Sequence, residues 1–180
     1  MKIRPIIPIL FIGLISQYCA PITFPQRENM ESLNSGTKTF NGVYDNVSAQ
    51  NSGDSVSMWA VLTKKYQDPV FTKKFDFVNS KIKLTSQGKK RILAELIVAD
   101  TIKEKLILKG RVTANYFSLN RKIKFYGLPF IYFSWFDYKL QLGLDKNNEL
   151  HIDGNNGRLG WVLIIAAGNK EDYNFKFRKM

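Results

Sequence analysis

Apolar and polar residues alternate with a period of two along most of the chain from about Thr39 to Met180. A strand sends successive side chains to opposite faces, whereas a helix repeats its pattern every 3.6 residues. The alternation is clearest in the stretches 75–77, 82–84, 92–98, 138–142 and 173–177. The pattern therefore predicts short strands, and the abundance of Phe, Tyr, Val, Ile and Leu in these stretches supports that prediction.

Turn residues separate the predicted strands at intervals of roughly eight to twelve residues. Gly and Asn accept positive φ, so 86–89 and 145–148 are predicted hairpin turns, and 168–170 is predicted to join the last two strands. Val112 to Leu119 is predicted to be one strand. The spacing predicts an all-β fold, an antiparallel meander that closes into a β-barrel. Helical spacing occurs in Val56 to Lys65, which predicts one short helix near 56–65.

The composition suits one packed domain. Hydrophobic residues make up 44% of the 180-residue chain and charged residues 23%, which excludes a disordered chain. A single Cys excludes an intramolecular disulfide and a Cys-based zinc site. With a single His as well, most catalytic constellations built on these residue types are excluded, and we expect no cofactor and no metal.

The chain begins with a pattern typical of a secretory signal peptide. Lys2 and Arg4 precede an apolar run from Ile6 to Ile15. This run is shorter than the roughly twenty residues that a membrane-spanning helix needs. Residues 1–18 are therefore predicted to be a signal peptide.

Cys19 directly follows this segment, and its position resembles that of the acylated first residue of a mature bacterial lipoprotein. The resemblance implies that fatty acyl chains such as palmitate on Cys19 attach the protein to a membrane. The alternatives are ordinary signal cleavage after Ala20 and an incidental cysteine in a discarded peptide. Residues 19–38 are polar and contain two prolines, which predicts a flexible tether before a domain at 39–180.

The predicted location is the cell envelope, where the protein would be an outer membrane lipoprotein that faces the periplasm. No acidic cluster follows Cys19, and such a cluster is typical of the surface-export signal of some lipoproteins. The chain has 27 Lys plus Arg against 15 Asp plus Glu. Outside the cytoplasm this charge favours anionic lipid headgroups, lipopolysaccharide phosphates, acidic glycans or simple solubility, and no nucleic-acid partner is expected.

The most unusual segment runs from Tyr126 to Phe136, where apolar side chains occupy both faces of a predicted strand. Either one face lines the barrel while the other contacts a ligand, a protein partner or the membrane surface, or the segment 56–65 covers the strand. The uninterrupted run from Trp161 to Ala167 has the same two interpretations. The candidate ligand or partner surface consists of Phe130, Tyr132, Phe133, Trp135 and Phe136.

The segment Phe40-Asn41-Gly42-Val43-Tyr44 resembles the start of lipocalin-like small barrels, where a Gly and an aromatic residue begin the first strand. The resemblance implies that Gly42 and Tyr44 help to close the barrel and that Arg178, on the last strand, packs over Tyr44. The order of tether, first strand and closing hairpin resembles small uncharacterised lipoproteins of Gram-negative envelopes. That resemblance implies no particular activity.

Candidate reactive and modified residues are few. His151 lacks a nucleophile motif, and Asp153 is expected to share its strand face. The carboxylates nearest in sequence that could meet as an acid–base pair are Asp137, Asp145, Glu149 and Asp153. The segment 145–149 is interpreted as a turn, because its spacing departs from that of a calcium loop. The tripeptides around Ser55 and Thr101 match the Asp-Ser/Thr-apolar pattern of bacterial O-glycosylation.

These features favour a non-catalytic, lipid-anchored envelope protein whose β-barrel binds an apolar or amphiphilic ligand or an envelope protein. The alternative is a periplasmic hydrolase whose Asp and Glu residues converge only in the folded chain. A third class, a structural subunit without a small ligand, predicts a barrel filled by side chains and a large exposed patch around 130–136.

Overall fold

The computed structural model describes residues 29–33, 36–48, 55–64, 77–113, 115–128, 131–162 and 165–180. These residues form nine strands, one short α-helix and one 3₁₀ helix (Gly36–Phe40). The strands are β1 (Gly42–Asp45), β2 (Ser80–Ser86), β3 (Arg91–Val98), β4 (Thr101–Thr113), β5 (Tyr116–Leu119), β6 (Lys122–Leu128), β7 (Tyr132–Leu144), β8 (Glu149–Val162) and β9 (Ile165–Arg178). The helix α1 (Met58–Thr63) lies between β1 and β2 in the chain. The predicted all-β class with one short helix is confirmed.

All neighbouring strands are antiparallel, in the order β1-β2-β3-β4-β5-β7-β8-β9, and β6 also pairs with β7. β5 and β6 therefore occupy successive parts of one edge of β7. A single bridge, Tyr44 to Lys179, joins β1 to the residue after β9, and the Met180 N–H donates to the Val43 carbonyl at 2.9 Å. The sheet itself is not closed, so the predicted barrel closure is not shown.

One face of the sheet surrounds the hydrophobic core. Alternate residues of the strands point into it, as the period of two predicts: Ile92, Leu96 and Leu142 are fully buried. Burial of each such side chain stabilises the fold by about 1.5–3 kcal/mol relative to exposure. All residues of α1 from Met58 to Leu62 are buried against this face, which makes the helix part of the core.

The ends of α1 are fixed by local hydrogen bonds. The Ser57 side chain accepts from the Ala60 N–H as the N-cap, and Asn46 Oδ1 accepts from the Trp59 N–H at 2.8 Å. Trp59 donates through Nε1 to Glu104 at 3.0 Å, so its indole is satisfied inside the core. Lys64 ends the helix in the left-handed region at φ 64°.

Two of the three predicted hairpin turns are confirmed. Gly88 lies between β2 and β3 at φ 88°, and Asn148 lies between β7 and β8 at φ 63°. The third prediction was wrong, because residues 168–170 lie inside β9, where Gly168 pairs with Leu159. Gly168 there leaves room for the neighbouring Leu159 side chain, so the glycine serves packing rather than a turn.

Two segments predicted as single strands are hairpins. The segment 112–119 contains the end of β4 and all of β5, which reverse at Asn115 so that Val112 pairs with Phe117. The segment 126–136 contains the end of β6 and the start of β7, which pair with each other. In 126–136 apolar residues continue through the connection between the two strands, which hides the reversal in the sequence.

Part of the predicted tether is packed against the domain. Met30 forms a bridge with Asp145, and Leu33 belongs to the core. Thr37 donates to the Gly88 carbonyl at 2.6 Å. The packed domain therefore includes residues before Thr39, while the predicted signal peptide and Cys19 lie outside the described residues.

The long strands β7, β8 and β9 continue past the core and, with β6, form what we call the sheet extension (122–128, 131–138, 156–162 and 165–171). Its distal end carries the β6–β7 and β8–β9 connections. The opposite, proximal end carries the β7–β8 turn and the entry of the chain at Met30. The extension positions the candidate site.

Candidate functional site

The sheet extension has two faces, which the strand register assigns. The inner face continues from the core residues Leu140 and Leu142, and on β7 it carries Tyr132, Ser134, Phe136 and Tyr138. The outer face carries the alternate residues of β7, which include Phe133 and Trp135. The predicted ligand surface is thus divided between the two faces, and Phe130 lies outside the described residues.

A groove of about 470 Å³ crosses the strands on the inner face. Its floor is a row of small residues, because Ser134 pairs with Gly160 and Gly160 with Ala167. Larger residues flank this row on both sides. Tyr132 and Val162, which pair with each other, form the distal wall.

The proximal wall of the groove is polar and cationic. Arg158 pairs with Asn169 across β8 and β9, and both residues line the groove. The Arg158 guanidinium lies 5.0 Å from the ring centroid of Phe136, which fixes its position by a cation–π contact. The groove therefore has an apolar side toward the distal end and a cationic side toward the domain.

Lys64 adds a positive charge on the proximal side of this wall. Lys64 Nζ lies 5.2 Å from the ring centroid of Tyr138, and that ring stacks with Phe136 at 6.5 Å. Burial, together with the nearby charges of Lys122 and Lys124, lowers the pKa of Lys64 to about 8, although Asp137 opposes the shift. Burial is the largest cause of this shift, and the charges of Lys122 and Lys124 add to it. These neighbouring cations, with Lys64 itself, favour an anionic group.

The floor of the groove contains an unsatisfied polar group. Ser134 is 2% exposed, and its Oγ has no hydrogen-bond partner among the described residues. A buried hydroxyl without a partner costs about 1–3 kcal/mol.

The outer face carries an aromatic cluster. Phe133 lies 4.9 Å from Trp161 and 5.8 Å from Phe125, measured between ring centroids, and Phe125 lies 6.0 Å from Trp135. Phe125 is 61% exposed. None of these four aromatic residues belongs to the core around α1, so in the part of the chain that the structure describes the helix does not bury the cluster. The interpretation in which the segment 56–65 covers this stretch is therefore not supported.

The residues predicted to close the barrel meet where β1 and β9 approach each other. Tyr44 is fully buried and donates to the Phe40 carbonyl at 2.9 Å, and burial raises its pKa. The cation over its ring is Lys179, whose Nζ lies 5.8 Å from the centroid. Arg178 instead donates to Asp45 at 3.0 Å, and the Lys179 side chain packs beside Gly42.

Two of the candidate carboxylates are bound to non-acidic partners. Arg121 donates two hydrogen bonds to Asp137, at 2.7 and 2.6 Å. Asp153 accepts from Gln141 at 3.2 Å and from Asn174 at 2.5 Å. These contacts are those of a paired polar sheet face rather than of an acid–base pair.

The other two candidates lie with His151 at the β7–β8 turn. Asp145 accepts from the Asn147 and Glu149 N–H groups at 2.9 Å each and from His151 Nε2 at 3.1 Å. Burial alone would raise the pKa of Asp145, but these three hydrogen bonds outweigh it and lower the pKa. The prediction of a turn at 145–149 is confirmed, and His151, which shares its strand face with Asp153, also contacts Asp145.

The same cluster is the candidate metal site in the described residues. One ligand atom each of Asp145, Glu149 and His151 lies within 4.8 Å of the others. Glu149 Oε2, however, accepts from Lys176 Nζ at 3.1 Å, so a cationic side chain already neutralises this carboxylate. The hydrogen bonds of Asp145 stabilise the turn, which accounts for the cluster without a metal.

The two candidate glycosylation sites are accessible. Ser55 is exposed two residues before the N-cap of α1, and Thr101 is exposed at the start of β4. Modification at these positions stays a prediction.

Comparison of the chain with protein-family models, curated proteins and solved structures gives no match. Among the described residues, no helix has the length and hydropathy needed to span a membrane. The function of the groove must therefore be inferred from its own residues.

Sequence reasoning identified the aromatic residues around the groove but not its floor and polar wall. Gly160, Ala167 and Arg158 become neighbours of Ser134 and Phe136 only through the register of β7, β8 and β9. The available signal was the unusual density of small residues in 154–168. Small residues in a strand mark a hollow on the sheet surface.

Proposed function

We propose that this protein is a non-catalytic binding protein of the bacterial cell envelope, anchored through an acylated Cys19, and that its inner-face groove holds an amphiphile. The main supporting observation is that the two walls of the groove differ in polarity. Tyr132 and Val162 form the apolar wall, and Arg158 and Asn169 form the polar wall. An apolar chain fits the first wall and an anionic or polar head the second.

The size and chemistry of the groove support this assignment. Its volume of about 470 Å³ lies within the range of about 300–1,000 Å³ that is usual for small-molecule sites. Each methylene group removed from water contributes about 0.8 kcal/mol to binding. The Arg158 guanidinium offers several donors in a planar fork, which suits a phosphate or carboxylate.

The test fills the groove without disturbing the strand. Gly160 has no positive φ, and a Cβ there would meet atoms at 3.4 Å or more, so Gly160→Val is expected to fold. Gly157→Val is the matched control: Gly157 pairs with Asp137 on the outer face, where a Cβ would have an ordinary contact at 3.7 Å. Both variants are made in a Cys19→Ser background so that no acyl chain competes.

The probe is a fluorescent lysophosphatidylglycerol, with lysophosphatidylcholine as the zwitterionic comparison. We expect Gly160→Val to raise the dissociation constant at least about tenfold, since the valine side chain would project from the floor into the space that the probe occupies. Arg158→Gln should weaken binding of the anionic probe more than that of the zwitterionic one. Unchanged affinity in Gly160→Val, or an equal loss in Gly157→Val, would refute the proposal.

The anchor is tested separately by the intact mass and detergent partitioning of the protein from its native membrane. An acylated Cys19, with detergent-phase partitioning lost in Cys19→Ser, supports the proposed envelope address. A mature chain that begins elsewhere contradicts it. The same mass measurement tests glycosylation at Ser55 and Thr101.

A further inference from the structure

The distal end of the sheet extension consists of two hairpin ends that lie side by side. No charged residue occurs in the sequence between Lys124 and Asp137, or between Arg158 and Lys170. Leu128 and Ile131, at the β6–β7 connection, are 67% and 59% exposed. Val162, at the end of β8, is also exposed and pairs with Tyr132 of β7.

Three kinds of residue follow one another from this end toward the domain. The exposed aliphatic residues come first. An aromatic belt comes next, on both faces of the extension, with Tyr126 and Phe136 in edge contact at 5.5 Å on the inner face and Phe133 against Trp161 on the outer face. A band of charged residues comes last, at the level of β7 residues 136–139.

The charged band is mostly cationic. Among the described residues it contains Lys64, Arg121, Lys122, Lys124, Lys139, Arg158 and Lys170, against Asp137, Glu171 and Asp172. Asp137 is bound to Arg121, and Asp172 lies 3.3 Å from Lys170, so these two carboxylates are already paired with cations. Lys122, Lys124 and Arg158 are exposed.

We propose that the distal end docks on the surface of a lipid bilayer that contains anionic lipids. Aliphatic residues at the tip, Trp and Tyr behind them and Lys or Arg behind the aromatic residues are the order in which side chains partition into the acyl boundary, the interface and the headgroup layer. From Tyr132 to Phe136 the strand rises about 13 Å. Interfacial segments enter a membrane to a depth of about 5–10 Å, which is less than this length. The charged band at 136–139 would therefore stay at the level of the headgroups.

The arrangement favours a bilayer over a protein partner as the occupant. Aromatic side chains reach the same level on both faces of the extension, as expected of an end that enters a lipid layer from all sides. The excess of cations behind the belt complements anionic headgroups. The two surfaces share Arg158, Trp161 and Val162, but Leu128 and Ile131 do not line the groove, so variants of these two residues test docking alone.

The experiment measures partitioning of the full chain, carrying Cys19→Ser, into vesicles of phosphatidylcholine with or without phosphatidylglycerol. The N-terminal segment is the same in every variant, so its contribution cancels from the comparison. Leu128→Glu and Ile131→Glu test the tip. Met180→Glu is the matched control, since Met180 is 62% exposed and follows β9 at the proximal end.

We expect partitioning into anionic vesicles to fall by about tenfold or more in each tip variant and to stay unchanged in Met180→Glu. Lys124→Glu should lower partitioning about tenfold, while Lys83→Glu on β2 leaves it near that of the parent chain. Brominated lipids should quench the fluorescence of Trp161, and the quenched component should disappear in Trp161→Phe.

Three results would overturn the proposal: tip variants that partition like the parent chain, an equal loss in Met180→Glu, or Trp161 that brominated lipids do not quench. The groove proposal is distinguished by Gly160→Val, which should bind vesicles normally. If Gly160→Val binds the lysolipid normally but the tip variants lose vesicle binding, the groove proposal fails and the docking proposal stands.

Discussion

Removal of the Asp145 carboxylate tests whether the β7–β8 turn depends on it, as its hydrogen bonds indicate. Asp145 is 7% exposed and accepts from two backbone N–H groups and from His151. Hydrogen bonds to a charged group contribute about 1.5–3 kcal/mol each, and the turn amides can recover part of this from water. We expect Asp145→Ala to lower the free energy of unfolding by about 3 kcal/mol.

Asp145→Asn separates the charge from the hydrogen bonds. The amide oxygen can still accept from the Asn147 and Glu149 N–H groups, so this variant should lose only about 1 kcal/mol. Urea denaturation at about pH 6 measures both losses. If Asp145→Asn is as unstable as Asp145→Ala, the hydrogen bonds to the turn amides are not the source of the stability.

The pH dependence supplies a second check. The folded-state pKa of Asp145 lies below its ordinary value of 3.8, so the folded protein binds this proton less tightly than the unfolded chain does. The stability that results is present above about pH 4 and is lost as the pH falls through the folded-state pKa. The advantage of the parent protein over Asp145→Asn should therefore shrink below about pH 4. A constant advantage at lower pH would refute the reasoning.

Two further predictions concern α1. Trp59→Phe should lower the free energy of unfolding by about 2–3 kcal/mol, because it removes the hydrogen bond to Glu104 and part of a buried ring. A double-mutant cycle with Glu104→Ala, which removes the acceptor, isolates the hydrogen bond in urea denaturation. Additive losses in that cycle would show that the bond contributes nothing. Lys64 should titrate at about 8 in the NMR spectrum of the ¹³C-methylated protein, and Lys122→Gln should raise this value. Because the folded-state pKa of Lys64 lies below its ordinary value of 10.5, the free energy of unfolding should rise with pH between these two values. Titration of Lys64 together with the other lysines would contradict its burial beside Lys122 and Lys124.

The sequence predicted the parts of the fold that depend on local pattern. Alternation placed Ile92 and Leu96 on the buried face of one strand, and helical spacing found α1. The turns at Gly88 and Asn148 were found because positive φ restricts the residue type. Each of these signals is contained within a few neighbouring residues.

The wrong predictions concern strand boundaries that are set by pairing with other strands and not by neighbouring residues in the sequence. The chain reverses between Val162 and Ile165 within an apolar run, while the turn-like residues 168–170 continue a paired strand. The candidate site shows the same limit. Tyr132 and Phe136 were identified as candidates from their unusual apolar context, but the groove between them needs Gly160 from another strand.

The entry of the chain beside Asp145 restricts how the molecule can stand on a membrane. β7 has 13 residues, which separates the proximal and distal ends by about 44 Å. The roughly ten residues from Cys19 to Asn29 reach at most about 35 Å when fully extended. If Cys19 carries the acyl anchor and the tip docks on the same bilayer, the extension cannot stand upright, and its long axis must tilt toward the membrane plane. A domain that stands upright on its anchor would instead present the tip to a second surface, as a spacer between two layers of the envelope.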